Sequence, residues 1–153
     1  MKNIVLSIVA TSALMAGGPA SANPDEADVR TLFTKFINAQ NAHDANEIRA
    51  VLWDSPETFI ISRGRVTKGA ATIADRFKQN FQGTWHAEPD MTRFEITNIS
   101  DDVVQILVPV EFTRGLPGDA AKNDTSLMSQ ILIKGKEGWR IASILQVVNT
   151  QSK

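Results

Sequence analysis

The chain has 153 residues, and its 16 Lys and Arg nearly balance its 17 Asp and Glu without forming a run of like charge. This balance gives no electrostatic basis for binding nucleic acid or an anionic membrane surface, so neither partner is expected. Cysteine is absent, which excludes disulfides, thiolate zinc sites and cysteine nucleophiles.

The first 22 residues have the features of a cleaved secretory signal peptide. Lys2 provides a positive start, residues 4–16 are apolar and uncharged, and Ala20-Ser21-Ala22 is a cleavage site of the small-x-small type. The apolar run is shorter than the ~20 residues that a membrane-spanning helix needs. We therefore expect cleavage after Ala22 and a mature protein that is periplasmic or secreted and does not stay in the membrane.

Hydrophobic spacing predicts three helices in the first half of the mature chain. Residues 23–42 carry one apolar stripe at helical intervals, formed by Val29, Leu32, Phe33, Phe36 and Ile37. A short second helix begins after Asp44, which is an N-cap residue, and ends before Pro56, which disfavours helix in the residue that precedes it. A third helix is expected between the glycines at 69 and 83, where apolar residues recur four positions apart.

The rest of the chain is rich in β-branched and aromatic residues. Residues 58–62 and 65–68 are expected to form a short hairpin. Four longer strands are predicted over residues 85–99, 103–113, 126–134 and 139–148. Residues 115–124 form a polar loop that is long enough to act as a lid. The strand over 103–113 alternates between apolar and polar residues, so one of its faces belongs to the core. Three helices followed by an antiparallel sheet predict an α+β fold.

This order of elements resembles the nuclear transport factor 2-like superfamily, in particular its SnoaL-like and SgcJ/EcaC-like domains. The matching residues are Asp44, Trp53-Asp54, Val66-Thr67-Lys68-Gly69 and Gly138-Trp139-Arg140-Ile141. The resemblance assigns residues 23–150 to one domain, between the signal peptide (residues 1–22) and a short tail (residues 151–153). It implies a curved antiparallel sheet wrapped as a cone around three N-terminal helices, a pocket inside the open end of the cone, and homodimers.

The superfamily includes isomerases, dehydratases and cyclases, and function depends on the site rather than on the fold. Ketosteroid-isomerase-like members use an Asp base on the first strand and a Tyr donor, whereas this chain has isoleucine there and no Tyr. His86 is the first candidate for a catalytic residue, as a general acid or base that Glu111 orients. Asp54 is the second, as a carboxylate base near the pocket mouth. Alternatively, Asp54 fixes the turn before Pro56 and His86 is a surface residue.

Polar residues on apolar strands, together with two tryptophans, are the candidates for a ligand pocket. These residues are Trp53, Glu111, Gln130, Trp139, Gln146 and Asn149. An edge strand or a dimer interface explains the polar ones equally well, and Trp139 also suits the core, with its indole N–H bonded. Arg63 and Arg65 flank a glycine turn, where they either hold an anion or form an exposed hairpin tip.

Three functions follow from these observations. The first is an exported domain that binds a small, largely apolar molecule inside the cone. The second is an enzyme of the SnoaL-like cyclase, isomerase or dehydratase type, which uses acid/base chemistry without a cofactor. The third is a structural domain that dimerises through the sheet face bearing Gln105, Glu111 and Thr113. No metal site is expected, because the two histidines lie 43 positions apart and no cysteine is present. No cofactor is expected either, because the chain has no phosphate-binding or dinucleotide-binding loop.

Overall fold

Apolar spacing and helix caps position three helices in this computed structural model, which describes residues 24–148. The helices are Pro24–Asn41 (α1), Ala45–Val51 (α2) and Ala70–Asn80 (α3). The apolar stripe predicted for α1 is buried along its whole length. Asp44 caps α2 as expected, since its carboxylate accepts hydrogen bonds from the backbone N–H groups of Asn46 (2.9 Å) and Glu47 (3.0 Å). Such a cap stabilises a helix by about 1 kcal/mol.

The proposed signal peptide, its cleavage site and the C-terminal tail lie outside the described residues. Of the helices that the structure describes between residues 24 and 148, none combines the length and the apolar content needed to cross a membrane.

Seven strands follow or separate these helices. They are Phe59–Ser62 (β1), Arg65–Lys68 (β2), Thr84–Pro89 (β3), Glu95–Ser100 (β4), Val103–Gly115 (β5), Lys122–Gly135 (β6) and Gly138–Val148 (β7). The single strand predicted over residues 85–99 is wrong, because a 3₁₀ turn at Met91–Arg93 separates β3 from β4. Asp90 starts this turn by accepting a hydrogen bond from the backbone N–H of Thr92 (3.1 Å).

The predicted lid loop over residues 115–124 is also wrong in its extent. Lys122, Asn123 and Asp124 already belong to β6, and they pair with Arg114, Thr113 and Phe112 of β5. The loop is therefore reduced to residues 116–121. The polar side chains in this stretch were misleading, because a strand tolerates them wherever they reach solvent or an ion-pair partner.

The sheet is mixed rather than wholly antiparallel, which corrects the expectation. Its strand order is β2-β1-β7-β6-β5-β3, and β4 pairs with the other half of β5. The exception is the β1–β7 pair, which is parallel, with Phe59 opposite Ser143 and Ser62 opposite Gln146. Parallel strands need a long connection between them, and the chain from β2 to β6 provides it. The sheet is curved and does not close into a barrel. Three helices together with this mostly antiparallel sheet confirm the predicted α+β fold.

The helices cover one face of this sheet, which we call the inner face. On β5 the inner positions are Val104, Ile106, Val108, Val110 and Phe112. All five are buried, so the alternation predicted for this strand is confirmed. Each large aliphatic or aromatic side chain buried in this way contributes about 1.5–3 kcal/mol to folding.

The opposite face, which we call the outer face, is covered by no helix in the part of the chain that the structure describes. The β5 residues Gln105 and Glu111 are exposed there. Several large aliphatic residues are exposed on the same face, namely Val66, Leu127, Leu145 and Val147. An extended apolar surface of this kind is typical of a protein–protein contact.

Candidate functional site

The inner face changes character towards one end of the sheet. Along β6 its buried positions run from Leu132 through Gln130 and Met128 to Ser126, and Asp124 follows. Apolar residues thus give way to polar ones. We call the region where they converge the polar end, and it consists of Ser62, Arg63, Arg65, Arg76, Trp85, Arg114, Asp124, Ser126 and Gln146.

Asp124 is the charged centre of the polar end. Its carboxylate accepts hydrogen bonds from Arg63 Nη2 (2.8 Å) and from Arg114 Nη2, and Ser126 Oγ lies 3.3 Å away. The Arg114 side chain is only 7% exposed, whereas that of Arg63 is 57% exposed at the β1–β2 turn. Asp124 therefore joins a buried guanidinium to an exposed one.

Two further arginines complete the cluster. Arg76 on α3 donates from Nη1 to the hydroxyl of Thr67 (2.9 Å), and Arg65 lies opposite Ser62 in the β1–β2 ladder. Among the described residues, neither of these two arginines has a carboxylate within ion-pair distance. The cluster therefore contains four guanidinium groups, of which only those of Arg63 and Arg114 pair with its carboxylate, that of Asp124.

The pKa shifts in the cluster reflect burial and the neighbouring charges. Burial lowers the pKa of Arg76, and the positive charges of Arg65 and Arg63 lower it further. Burial also lowers the pKa of Arg114, against the opposing effect of Asp124. For Asp124, burial alone raises the pKa, but the hydrogen bonds and charges of Arg114 and Arg63 outweigh it, so the pKa is lowered overall. The carboxylate is thus held ionised and weakly basic, so at neutral pH it has no proton to donate as a general acid and is a poor general base.

A cavity of about 10 Å³ lies beside this cluster. Its walls are formed by Ile60, Ser62, Arg76, Phe77, Asn80, Trp85 and Gln146. Ser62 Oγ donates a hydrogen bond to Gln146 Oε1 (2.7 Å) across the parallel β1–β7 pair. The volume is enough for about one water molecule. This cavity therefore leaves no room for a molecule much larger than water.

Some buried polar atoms at the polar end have no hydrogen-bond partner among residues 24–148. They include the indole Nε1 of Trp85 and the Nε of Arg114. The Arg114 guanidinium carbon lies 4.1 Å from the ring centroid of Phe112 and 5.5 Å from that of Trp85. An aromatic wall therefore supports the cationic group, and donor hydrogens remain available beside it.

The family assignment comes from comparison with known proteins. The SnoaL-like domain family matches residues 29–146. This chain belongs to that family. The nuclear transport factor 2-like superfamily, expected from the order of elements, is thereby confirmed.

Solved structures agree with this assignment of the SnoaL-like domain. A nuclear transport factor 2-like protein from Salmonella enterica superimposes with a TM-score of 0.73 at 15% identity, over 84% of this chain and 94% of that one. A cystatin-like protein from Caulobacter vibrioides gives 0.72 at 12% identity, over 84% and 92%. A cystatin-like domain of unknown function from Nostoc punctiforme gives 0.65 at 23% identity, over 86% and 81%. Identities this low show a shared fold only. Comparison with curated proteins gives no match.

The two predicted catalytic residues of this SnoaL-like domain lie in separate surface grooves. His86 is exposed on the edge strand β3, beside a groove of about 380 Å³ between that strand and α1. Asp54 lies in a groove of about 720 Å³ between the end of α2 and the β6–β7 turn. Its side chain is 84% exposed and lies 3.6 Å from Arg49. The fold therefore does not bring His86 and Asp54 together.

Glu111 does not contact His86 in the way that the sequence suggested. In the β3–β5 ladder His86 lies opposite Thr113, and Glu111 lies opposite Glu88. Both ladder pairs point to the outer face, and no hydrogen bond joins Glu111 to His86 among the contacts of the described residues. Glu111 therefore lies on the opposite side of the sheet from the polar end.

The other pocket candidates are divided between the two sides of the domain. Gln146 lines the small cavity, and Gln130 is fully buried on the inner face, where its Nε2 lies 3.3 Å from the sulfur of Met128. Trp53 is half-exposed in the same groove as Asp54. Trp139 is buried and lies near Asp25, whose pKa is lowered mainly by its hydrogen bond to Lys134 and to a smaller extent by the indole of Trp139. Asn149 lies outside the described residues.

Sequence reasoning missed Arg114, Asp124, Arg76 and Trp85, although a signal for Arg114 was present, as was one for Gln40 in the core. Arg114 continues the period-two alternation that buries residues 104–112 of β5, so its inward direction was readable. Gln40, which is fully buried with both amide atoms unpaired within the described chain, likewise continues the apolar stripe of α1. Within residues 24–148, no three His, Asp or Glu side chains converge in a way that would hold a metal ion.

Proposed function

We propose that this SnoaL-like domain is an exported protein that binds a small molecule at the polar end of its cone. One observation carries the proposal: hydroxyl, amide, indole and guanidinium groups converge at one end of a mostly apolar inner face. A few convergent polar groups beside apolar walls are typical of ligand sites. The signal-peptide features of residues 1–22 support export into the periplasm or the medium.

The aromatic residues around the polar end support a ligand with a largely apolar body. The Trp85 ring lies 5.7 Å from the ring of Phe77 and 5.9 Å from that of Phe112, both in edge-on contacts. The adjoining cavity of about 10 Å³ is too small for such a body. We therefore propose that the ligand lies against Trp85 at the rim of the cone, or enters when the side chains of Arg76 and Asn80 move outwards.

Binding is favoured over acid/base catalysis by the composition of the cavity wall. None of its seven residues has a side chain that exchanges a proton near neutral pH, and Asp124 is held ionised by two arginines. A proton-transfer enzyme would have to use His86 or Asp54 in their separate grooves.

Mapping the binding of small aromatic molecules by ¹H–¹⁵N NMR tests this proposal. We expect them to shift the Trp85 indole signal and the backbone amides of Ser62 and Gln146. Gln146→Ala should weaken this binding, because it removes an amide that lines the cavity. Gln105→Ala is the matched control, since it truncates a glutamine on the outer face that donates to Ser129 Oγ (3.0 Å). Shifts confined to the grooves of His86 or Asp54 would contradict the proposal.

A second role, homodimerisation, is favoured by the outer face. Leu145 lies opposite Ile61 in the β1–β7 pair, and Leu127 lies opposite Val147 in the β6–β7 pair. These side chains form a continuous apolar surface on one side of the sheet, and we propose that a second copy of the chain covers it.

Light scattering coupled to size exclusion tests the dimer. We expect a dimer at micromolar concentration and a monomer for Leu127→Lys. Leu116→Lys, which changes an exposed leucine in the β5–β6 loop, is the control and should leave the dimer intact. A wild-type monomer at that concentration would overturn the proposed interface.

A further inference from the structure

The polar end has more positive charge than its own residues neutralise. Asp124 lies within ion-pair distance of both Arg63 and Arg114. Arg76 is bound to the neutral hydroxyl of Thr67, and Arg65 has no ion-pair partner among the described residues. Guanidinium groups that repel one another in a partly buried site favour the entry of an anion.

Arg114 is the residue most in need of a second acceptor. Its side chain is almost fully buried against Phe112 and Trp85, and its one ion-pair partner is shared with Arg63. A guanidinium has five donor hydrogens in a planar fork, and the Nε of Arg114 has no acceptor within residues 24–148. That unused donor belongs to the edge of the fork that matches a carboxylate or a phosphate.

We infer that the polar end is an oxyanion site, in which Arg63, Arg76 and Arg114 hold the carboxylate or phosphate group of a small molecule. This inference rests on the function proposed above and names the chemical class of the ligand. Asp124 is the internal counterion of the same arginines, and the ligand competes with it for their donors. The ring of Trp85, which lines the cavity beside Arg76, contacts the apolar part of the ligand.

A purely structural account of the cluster makes a different prediction for Asp124. If Arg114 and Asp124 only joined β5 to β6, removing the carboxylate would loosen the site and weaken any binding there. If Asp124 competes with the ligand, Asp124→Asn frees two guanidinium groups and tightens anion binding. The direction of the change in affinity therefore separates the two accounts.

The first experiment uses the mature domain at constant ionic strength, with benzoate, benzamide and inorganic phosphate as probes. Benzoate and benzamide have nearly the same shape and differ in charge. We expect benzoate to bind about tenfold more tightly than benzamide, since charge-assisted hydrogen bonds to arginine are roughly twice as strong as neutral ones. The Arg114 Nε–H signal should shift when benzoate or phosphate is added. The anion that binds more tightly shows whether a carboxylate or a phosphate is the preferred group.

Charge-neutralising variants locate the site. Arg76→Gln and Arg63→Gln should each weaken binding of the preferred anion about fivefold. Arg49→Gln is the matched control, because Arg49 is exposed to the same degree as Arg63 (54% against 57%) and also lies beside a carboxylate. These three positions are at least partly exposed, so the variants should fold, and their melting temperatures verify this. An equal loss with Arg49→Gln would identify non-specific attraction and overturn the inference.

The second experiment measures the affinity of Asp124→Asn, for which we expect about fivefold tighter anion binding. Unchanged or weaker binding by this folded variant would overturn the inference. The outcomes also separate the inference from the proposed function. Equal binding of benzoate and benzamide at Trp85 would reject the oxyanion site and keep a small-molecule site. Failure of all three probes to shift Trp85 or Arg114 would reject both.

Discussion

Neighbouring residues on β6 and β7 lie in opposite environments, and the polarity of each is the reverse of what stability alone favours. Ser126 and Gln146 point to the inner face and are buried, whereas Leu127 and Val147 point outwards and are 39% and 64% exposed. A sheet that served only to fold would have apolar residues inside and polar residues outside. The reversal occurs on adjacent rows of the same two strands.

The difference between the two faces supports the two contacts proposed above, one for each face. Polar groups buried at one end of the inner face are costly unless they are bonded, which fits a ligand site. Exposed aliphatic groups on the outer face lose nothing by being covered, which fits a second subunit. Towards the other end of the sheet, where Val104 lies opposite Leu132, the inner face is apolar in the ordinary way. The proposed ligand site is therefore confined to one end of the inner face.

The largest expected effect contrasts the two faces directly. Phe112→Ala removes a fully buried aromatic ring from the inner face, and it should lower the free energy of unfolding by about 3–5 kcal/mol. Glu111→Ala, at the adjacent exposed position, should change it by less than about 0.5 kcal/mol. Urea denaturation of the two variants measures both values. Similar losses for the two would mean that the assigned directions of the β5 side chains are incorrect.

A smaller effect is expected for Asp124→Asn, which should cost about 2 kcal/mol at pH 7 because a buried guanidinium loses its charged acceptor. The pKa of Asp124 is lowered in the folded protein from its ordinary 3.8. Its stabilising effect is therefore complete above that value and is lost as the pH falls through the lower, folded-state pKa. Unfolding measured from pH 7 to pH 2 should show a shallower loss of stability for the variant. Parallel curves would show that Asp124 does not titrate as described.

Unlike the two changes above, Gln130→Leu is expected to stabilise the protein, because the Oε1 of this fully buried amide has no partner among the described residues. Replacing it by an apolar group of similar size should raise the free energy of unfolding by about 1 kcal/mol. The control is Gln146→Leu, which breaks the hydrogen bond from Ser62 and should bring no gain. Thermal and urea unfolding measure the pair. A loss of stability in Gln130→Leu would indicate that Gln130 is satisfied by a bound water or ligand.

The smallest change in folding free energy is expected on the outer face. Val147→Thr keeps the β-branched shape at an exposed position, so the monomer should change by less than about 0.5 kcal/mol. The dissociation constant of the dimer should nevertheless rise, because a hydroxyl is introduced into the proposed interface. Analytical ultracentrifugation over a dilution series measures the dissociation constant of the dimer. The control is Thr125→Val, which makes the opposite change of residue type on the same face. An unchanged dissociation constant would remove Val147 from the interface.

Local patterns predicted much of the fold. The stripe of α1, the Asp44 cap of α2 and the alternation of β5 depend on residues close in sequence, and all three are confirmed. The break at Asp90 and the extension of β6 back to Lys122 were missed. Both depend on which stretch of β5 lies alongside, since backbone hydrogen bonds to a neighbouring strand outweigh the weak preferences of short polar stretches.

The candidate site was less predictable, and the reason is visible in its contacts. Gln130 and Gln146 were recognisable as polar residues on apolar strands, and Arg114 continued the alternation of β5, whereas Asp124 resembled an ordinary surface charge of a loop. Asp124 acquires its role only when β5 and β6 place it opposite Phe112 and within reach of Arg63, 61 positions away. A charged residue in a sequence does not show whether its side chain is buried, and burial determines how strongly the charge affects stability and binding.

The sequence alone determined the helices, the apolar side of β5 and the family resemblance, because these follow from short-range periodicity and from the order of elements. The tertiary structure decided which polar groups meet. Ser62 and Gln146 are 84 positions apart and are joined by a parallel pairing that the sequence did not suggest. Register in a sheet is set by many backbone hydrogen bonds and side-chain contacts acting together, so the pairing of Asp124 with both Arg63 and Arg114 results from the assembled sheet.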